Sequence, residues 1–419
     1  MIFKKLLTRP ESNYFIVDGI RAIAVLWVIF FHSWVLQIFQ YPQILPRFYN
    51  SLFLAWVTRG DLGVDLFFVI SGFLIGSILL NEIKKTGKVN FKRFYARRAL
   101  RLMPAYWFTL LLGFCFTTNI GLQMMSWSNL LYINNYVRAP SPIHLWSLSI
   151  EEQFYIVVPF LLLFVLPEFR NKAIFFIALT IIQVGLSAYY VFIKYNYTIP
   201  FNFTFASANW FDLFWNYYVL THLRYVGLLA GVAIAYLHTY HSEEIKKAFS
   251  RNILLQNGLI ILSIIVLLFI SFTPLGEVTV LKSSVFYHLP RAAGQWYEVL
   301  HRPVFSYLTA FLILACLYAD AIVIKPVKWF LSLKLFYPIA QLSYSAYLYH
   351  AMNMVWLFPK TAAMLKGIWT DENVFILNIV LSIVNTFVMA TLMYYFIEQP
   401  FNKIRNKVFR SDPPHKKTL

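Results

Sequence analysis

Long apolar runs dominate the chain. Stretches such as Ile253–Phe272 and Val374–Ile397 extend for about twenty residues with almost no ionisable side chain, the length of an α-helix that crosses roughly 30 Å of hydrocarbon. The runs are continuous and do not alternate with polar residues, which favours helices over a membrane β-barrel. The pattern predicts ten spans, at residues 14–39, 62–81, 104–121, 146–167, 173–194, 220–240, 253–272, 303–324, 336–358 and 374–397.

Lysine and arginine are divided unevenly between the loops that join these spans. The two tails and every second loop hold 25 of the 36 basic residues, and the segments on the opposite side hold nine. Basic residues concentrate on the cytoplasmic side of a membrane. We therefore expect an all-α, polytopic integral membrane protein of about ten transmembrane helices with both termini cytoplasmic. Residues 1–400 would form the membrane-embedded core and residues 401–419 a basic cytoplasmic tail.

Composition agrees with this interpretation. The chain is 59% hydrophobic and only 13% charged, which excludes a soluble globular domain. The net charge of +18 is explained by the basic loops, so no nucleic-acid partner is expected. Cys115 and Cys316 both lie in apolar segments, which indicates neither a disulfide framework nor a metal cluster.

Ionisable side chains inside an apolar span are informative because each costs on the order of 2.5 kcal/mol to insert. The first predicted span holds Arg21 and His32, eleven residues apart. This spacing is about three helical turns and places both side chains on one face, about 16 Å apart. A cation at one depth and a proton acceptor at another suit a substrate threaded along that face. The alternative is that Arg21 pairs with Asp18 and extends to the membrane surface.

Carboxylates occur at the start of two further spans. Asp61 and Asp65 open the second span, one turn apart, and Glu151 and Glu152 lie about one turn into the fourth. Neighbouring residues on a helix point about 100° apart, so only one of the two glutamates can face a given cavity. The other is expected to make a structural contact.

The ninth span carries a second histidine. Ser343, Tyr347 and His350 follow each other at helical spacing and share one face. A lone histidine in an aromatic span is more often a packing residue. Two histidines at similar predicted depth, close to the acidic pairs, favour a functional site.

Arg97, Arg98 and Arg101 cluster just before Pro104, in the loop that leads to the third span. Guanidinium groups bind phosphate bidentately, so three in five residues can form a phosphate clamp. The alternative is an anchor on anionic lipid.

Six strings of residues, in order, resemble the acyltransferase type 3 family of multi-pass membrane O-acyltransferases that act on glycans. The strings are Asp18-Gly-Ile-Arg21 with His32, Gly63–Ile75, Arg97–Pro104, Trp146–Tyr155, Ser343–His350 and Ile397–Phe401. The resemblance covers nearly the whole chain. It implies transfer of an acyl group, usually acetyl, from cytoplasmic acyl-CoA to a hydroxyl of a cell-surface or lipid-linked carbohydrate.

The resemblance implies a specific role for each of these polar residues. In this hypothesis, the catalytic group comprises His32 as general base or transient acyl carrier, with Glu151 or Glu152 orienting the imidazole. The acyl donor is held by arginines, and the acceptor side is lined by residues of the second and ninth spans. The donor-binding residues are Arg21, Arg97, Arg98 and Arg101, and the acceptor-side residues are Asp65, Tyr347 and His350.

The expected partners follow from this hypothesis. The donor substrate is acyl-CoA, here acetyl-CoA, and no permanently bound cofactor is expected. The acceptor is a carbohydrate or glycolipid. The protein is expected to lie among the lipids of a bacterial inner membrane. Some family members carry a periplasmic esterase-like domain. The expected partners of this chain therefore include a separate periplasmic protein. The competing interpretation is a secondary transporter or flippase for a lipid-linked or anionic substrate, because such carriers also use buried charges.

Overall fold

A computed structural model describes residues 6–9, 14–38, 40–44, 47, 51–116, 127–137, 143–196, 210–273 and 291–409. Within these ranges the regular secondary structure is helical throughout, which confirms the all-α prediction for the described residues. The longer helices are α1 (Phe15–Ile38), α2 (Leu62–Thr86), α3 (Phe91–Phe116), α4 (Trp146–Phe160), α5 (Lys172–Ala188), α6 (Val226–Tyr240), α7 (Ser242–Arg251), α8 (Ile253–Phe272), α9 (Arg291–Tyr318), α10 (Phe336–Leu365), α11 (Asp371–Met393) and α12 (Gln399–Val408).

Short helical segments extend or connect these helices. The α4, α5 and α11 helices each run on into a turn of π-helix, at Leu161–Val165, Tyr189–Lys194 and Tyr394–Glu398 respectively. The remaining short segments are Pro42–Ile44, Leu52–Ala55, Trp56–Arg59, Trp127–Leu130, Ile143–Leu145, Leu166–Glu168, Trp210–Leu213, Phe214–Tyr218, Thr221–Arg224, Ile322–Ile324 and Lys325–Leu331.

Seven helical stretches in the described part of the chain are long and apolar enough to cross a membrane. Each overlaps one of the ten predicted spans, which confirms a helical, multi-span membrane protein. The stretches are Phe15–Gln37, Leu62–Thr86, Trp146–Glu168, Lys172–Lys194, Ile253–Phe272, Ala292–Tyr318 and Asp371–Val408.

The other three predicted spans do not add to that count. The span at 220–240 corresponds to α6, an apolar helix of only 15 residues. The span at 336–358 falls within α10, which is helical over 30 residues but contains two serines and four tyrosines. The span at 104–121 runs beyond the described residues. The total of ten spans and the cytoplasmic termini therefore remain predictions.

The α2 and α6 helices pack closely through glycine. A β-carbon added to Gly72 would lie 2.0 Å from the carbonyl oxygen of Leu228, and one added to Gly231 would lie 2.1 Å from that of Val69. No side chain fits at either distance. Glycine at these two positions thus permits the close approach of α2 and α6.

The α1, α10 and α11 helices are joined by hydrogen bonds between buried polar side chains. The hydroxyls of Ser33 and Ser382 lie 3.0 Å apart. The Asn378 amide donates to Gln37 Oε1 at 2.8 Å, and the Asn353 amide donates to the Ser382 carbonyl at 3.0 Å. Side-chain hydrogen bonds of this kind hold helices together where there is no water.

A cluster of buried ion pairs surrounds the first turn of α2. Arg302 reaches Asp61 at 2.6 Å and Asp65 at 2.5 Å. Asp65 also pairs with Arg224 at 3.3 Å, and Asp61 with Arg59 at 3.2 Å. All five side chains are almost completely buried. Asp65, predicted to line the acceptor side, is therefore engaged by arginines of α9 and of the segment before α6.

We expect Gly72→Ala to lower the melting temperature of the detergent-purified protein, because the added methyl group overlaps backbone of α6. Overpacking of this kind typically costs about 1–3 kcal/mol. Gly185→Ala is the matched control, since nothing lies within 4 Å of a β-carbon there. Equal melting temperatures for the two variants would show that the α2–α6 contact is not tight.

We expect Asp65→Asn to destabilise the fold strongly, on the order of 3 kcal/mol, because it leaves Arg302 and Arg224 buried without their shared carboxylate. Glu372→Gln breaks the exposed pair with Arg47 and should leave the melting temperature nearly unchanged. If Asp65→Asn melts like the parent but loses the acyl transfer that the resemblance implies, the acceptor-side role predicted for Asp65 is favoured over a structural one.

Candidate active site

A cavity of about 530 Å³ lies among α1, α2, α3, α4, α10 and α12. It gathers polar and charged side chains from segments that are far apart in the sequence. Five of the ten predicted site residues line it, namely Arg21, Arg98, Arg101, Glu151 and Tyr347.

Arginines form one part of the cavity wall. Arg98 and Arg101 lie three residues apart on α3 and so share the face of the helix that borders the cavity. Arg97 does not line the cavity. Its Nη1 instead donates to the carbonyl oxygen of Phe409 at 3.0 Å. Adjacent residues on a helix diverge by about 100°, so the structure separates Arg97 from the other two arginines.

Arg21 faces the same cavity from α1. The sequence left open whether Arg21 pairs with Asp18. The carboxylate of Asp18 forms its ion pair with Arg9 at 3.4 Å. Arg21 has no carboxylate within ion-pair distance among the described residues, and its guanidinium lies at the cavity wall.

The two adjacent glutamates of α4 behave differently, as helix geometry requires. Glu151 lines the cavity and accepts hydrogen bonds from Ser71 Oγ at 2.8 Å and from the Tyr155 hydroxyl at 3.1 Å. Glu152 is not part of the cavity wall. Neither carboxylate is hydrogen-bonded to His32, so the structure does not pair the predicted base with its predicted orienting group.

His32 lies instead against two other histidines. Its ring centroid is 4.8 Å from that of His350 and 6.4 Å from that of His144, and the rings of His144 and His350 are 4.9 Å apart. His350 and His144 are fully buried, and His32 is partly buried. No group of three such side chains in the described residues is arranged to hold a metal ion.

Hydrogen bonds to backbone carbonyls determine which ring nitrogens carry protons in the neutral histidines. His350 Nδ1 lies 2.6 Å from the carbonyl oxygen of Tyr347, which can only accept, so Nδ1 is the protonated nitrogen. His350 Nε2 is then an acceptor, 3.2 Å from His32 Nδ1. His32 Nδ1 must be the donor, a role that its 3.0 Å contact with the Val28 carbonyl also requires. His32 Nε2 therefore carries the free lone pair that a general base needs.

Tyr347 connects the cavity to the histidines. It lines the cavity together with Ser147, and these two hydroxyls lie 2.5 Å apart. Its ring is 5.4 Å from that of His350, and its hydroxyl donates to the carbonyl of His144 at 3.0 Å. His32 itself is not part of the cavity wall. The ring of Tyr347 lies beside the histidines, and His350 lies between Tyr347 and the predicted base.

Three residues of the site were missed by the sequence reasoning. His144 lies two positions before the Trp146–Tyr155 string, and its proximity to that string was the available signal. Glu398 and Arg405 both line the cavity. Glu398 belongs to the Ile397–Phe401 string, whereas Arg405 lies in the stretch predicted to be a tail and had no signal of its own.

Comparison with known proteins bears out the resemblance to a family of acyltransferases. The profile of the family described as Acyl_transf_3, Acyltransferase domain, matches residues 14–396. O-acetyltransferase OatA of Staphylococcus aureus strain NCTC 8325 is 28% identical over 436 aligned positions, which cover 99% of this chain and 61% of OatA. SACOL0978 of strain COL, which carries the provisional name of an O-acetyltransferase, is 29% identical over 92% of this chain and 57% of its own length.

The chain spans about three fifths of the length of these curated relatives. No solved structure shows significant similarity to it. The six strings in order, the helical membrane architecture and a profile match over residues 14–396 together show that this chain belongs to the Acyl_transf_3 family of acyltransferases.

Proposed function

We propose that this protein transfers an acetyl group from cytoplasmic acetyl-CoA to a hydroxyl of a cell-surface or lipid-linked carbohydrate, at a bacterial inner membrane. The observation that carries the proposal is the cavity of about 530 Å³, whose arginines have no carboxylate within ion-pair distance among the described residues. One of its lining residues, Tyr347, lies beside a cluster of histidines. Family membership and the O-acetyltransferase names of the relatives support the same reaction class.

The donor is held through its phosphates. Acyl-CoA carries a diphosphate and a phosphate monoester at one end and its thioester at the other, on a long flexible arm. Arg98 and Arg101 would bind phosphate oxygens through charge-assisted hydrogen bonds. Arg21 would then support the arm of the donor inside the cavity. This arrangement directs the thioester toward Tyr347 and Ser147, at the end of the cavity nearest the histidines.

The transfer needs a base because a sugar hydroxyl is a weak nucleophile at neutral pH. In the proposed step His32 Nε2 takes the hydroxyl proton while the oxygen attacks the thioester carbon. The carbon–sulfur bond then breaks, and the proton on His32 passes to the departing CoA sulfur. His350 orients the base by accepting from His32 Nδ1, which is the role that the sequence had assigned to a glutamate. Glu151, bonded to Ser71 and Tyr155, shapes the donor cavity.

We expect His32→Ala to reduce acetylation by at least about 100-fold, the usual contribution of a positioned general base. The measurement is release of free CoA thiol in the presence of acceptor, together with mass spectrometry of the surface glycans. His241→Ala, at a partly exposed histidine outside the cavity wall, is the control. Normal acetylation by His32→Ala at parental membrane levels would rule out the assignment of the base, and absence of thiol release by the parent would favour a transporter.

We expect Arg98→Gln and Arg101→Gln each to raise the KM for acetyl-CoA about tenfold, the value of one charge-assisted hydrogen bond. Lys92→Gln, which removes one positive charge from an exposed position of the same helix outside the cavity wall, should change the KM much less. If all three variants raise the KM equally, the general loss of positive charge explains the effect. If none of them raises the KM, the alternative interpretation of these arginines as lipid anchors is favoured.

A further inference from the structure

We propose that the C-terminal helix α12 is part of the donor site and that Arg405 binds the phosphate monoester at the nucleotide end of the CoA donor. The inference rests on the proposed function, since it assumes that the cavity takes an acyl-CoA. It adds a binding residue in a stretch that the sequence predicts to be a tail, and it gives Arg97 a positioning role.

Both ends of α12 are tied to the bundle. At its start, the carboxylate of Glu398 accepts a hydrogen bond from Ser345 Oγ of α10. At its end, Arg97 of α3 donates to the carbonyl oxygen of Phe409 at 3.0 Å. A cation at a helix C-terminus also interacts favourably with the helix dipole. These contacts hold α12 across one side of the cavity, and the predicted boundary at residue 400 falls inside this helix.

One face of α12 borders the cavity and the other is exposed. Gln399, Asn402 and Arg405 follow each other at three-residue spacing and line the cavity. Lys403 and Lys407 are exposed on the other side. Asn402 lines the cavity with its Oδ1 buried and without a hydrogen-bond partner among the described residues. An acceptor in this position suits an N–H donor of a bound molecule.

The cavity wall carries an excess of positive charge. Four guanidinium groups line it, those of Arg21, Arg98, Arg101 and Arg405. None of them has a carboxylate within ion-pair distance in the part of the chain that the structure describes. The two carboxylates of the wall, Glu151 and Glu398, accept from hydroxyls.

Arg405 also lies close enough to Arg101 and Arg97 for mutual repulsion. Like charges held together in this way favour a polyanionic ligand.

The position of Arg405 on the wall selects the phosphate that it contacts. Arg98 and Arg101 project from α3, and Arg405 projects from α12. Arginines on the two helices can therefore bind separate phosphate groups. Arg21, on α1, is suited to the arm beyond the diphosphate. The phosphate monoester is the group that a diphosphate clamp on α3 leaves unbound, and Arg405 is the remaining guanidinium on the wall.

The test compares binding of CoA and of 3′-dephospho-CoA to the full-length protein in detergent, by calorimetry. We expect the parent to prefer CoA, and Arg405→Gln to bind CoA about tenfold more weakly while its affinity for 3′-dephospho-CoA stays close to the parental value. Arg98→Gln should weaken binding of both forms. Parental melting temperature and gel-filtration profile establish that each variant is folded.

Lys403→Gln is the matched control, because it removes one positive charge from the exposed face of the same helix. An equal loss of CoA affinity in Lys403→Gln and Arg405→Gln would overturn the proposal in favour of general electrostatics. Unchanged preference for CoA in Arg405→Gln would overturn it as well, and would leave the proposed function intact. Failure of the parent to bind either form would instead remove the proposed function, and this inference with it.

Discussion

Hydrocarbon offers no hydrogen-bond partner, so a polar side chain on an apolar span has to find one inside the bundle. The described helices satisfy this constraint in several places. Serine, asparagine and glutamine side chains join α1, α10 and α11, and Arg302 bridges two aspartates at the start of α2. These contacts fix the helices that carry His32 and His350. The geometry of the histidine pair therefore depends on polar contacts that take no part in the chemistry themselves.

The cavity arginines are the exception to this rule. Elsewhere in the bundle, buried guanidinium groups such as those of Arg302 and Arg224 are matched by aspartates. In the cavity wall the carboxylates are occupied by hydroxyl groups and the guanidinium groups are left without them. Uncompensated charge costs free energy, and a bound polyanion offsets that cost. This contrast between the two arginine clusters is the basis of the binding role proposed for the arginines of the cavity.

Tyr347 lies between this cavity and the histidines. Its side chain lines the cavity, with its hydroxyl engaged by Ser147 and by the carbonyl of His144. The same residue's carbonyl fixes the tautomer of His350, which in turn fixes that of His32. Tyr347 thus takes part in both halves of the site. Its backbone carbonyl fixes the tautomer of His350, and its side chain lines the cavity.

The sequence by itself determined the helical membrane architecture, because runs of twenty apolar residues have few other stable forms. It also identified Arg21, His32, Glu151 and His350 as notable, since ionisable residues in apolar spans are costly and therefore conspicuous. Arg98 stood out for another reason, as one of three clustered arginines. Which of two adjacent residues faces a cavity depends on helix rotation, so Glu151 and Glu152, or Arg97 and Arg98, could not be told apart in advance.

Only the tertiary structure decided the partners. His350, not a glutamate, lies beside His32, and Asp65 pairs with arginines from more than 150 residues away. His144 and Arg405 enter the site from segments whose local sequence gave little reason to place them there. Local periodicity sets the face on which a side chain lies. The neighbour that it meets is set by the packing of distant helices, which no short stretch of sequence records.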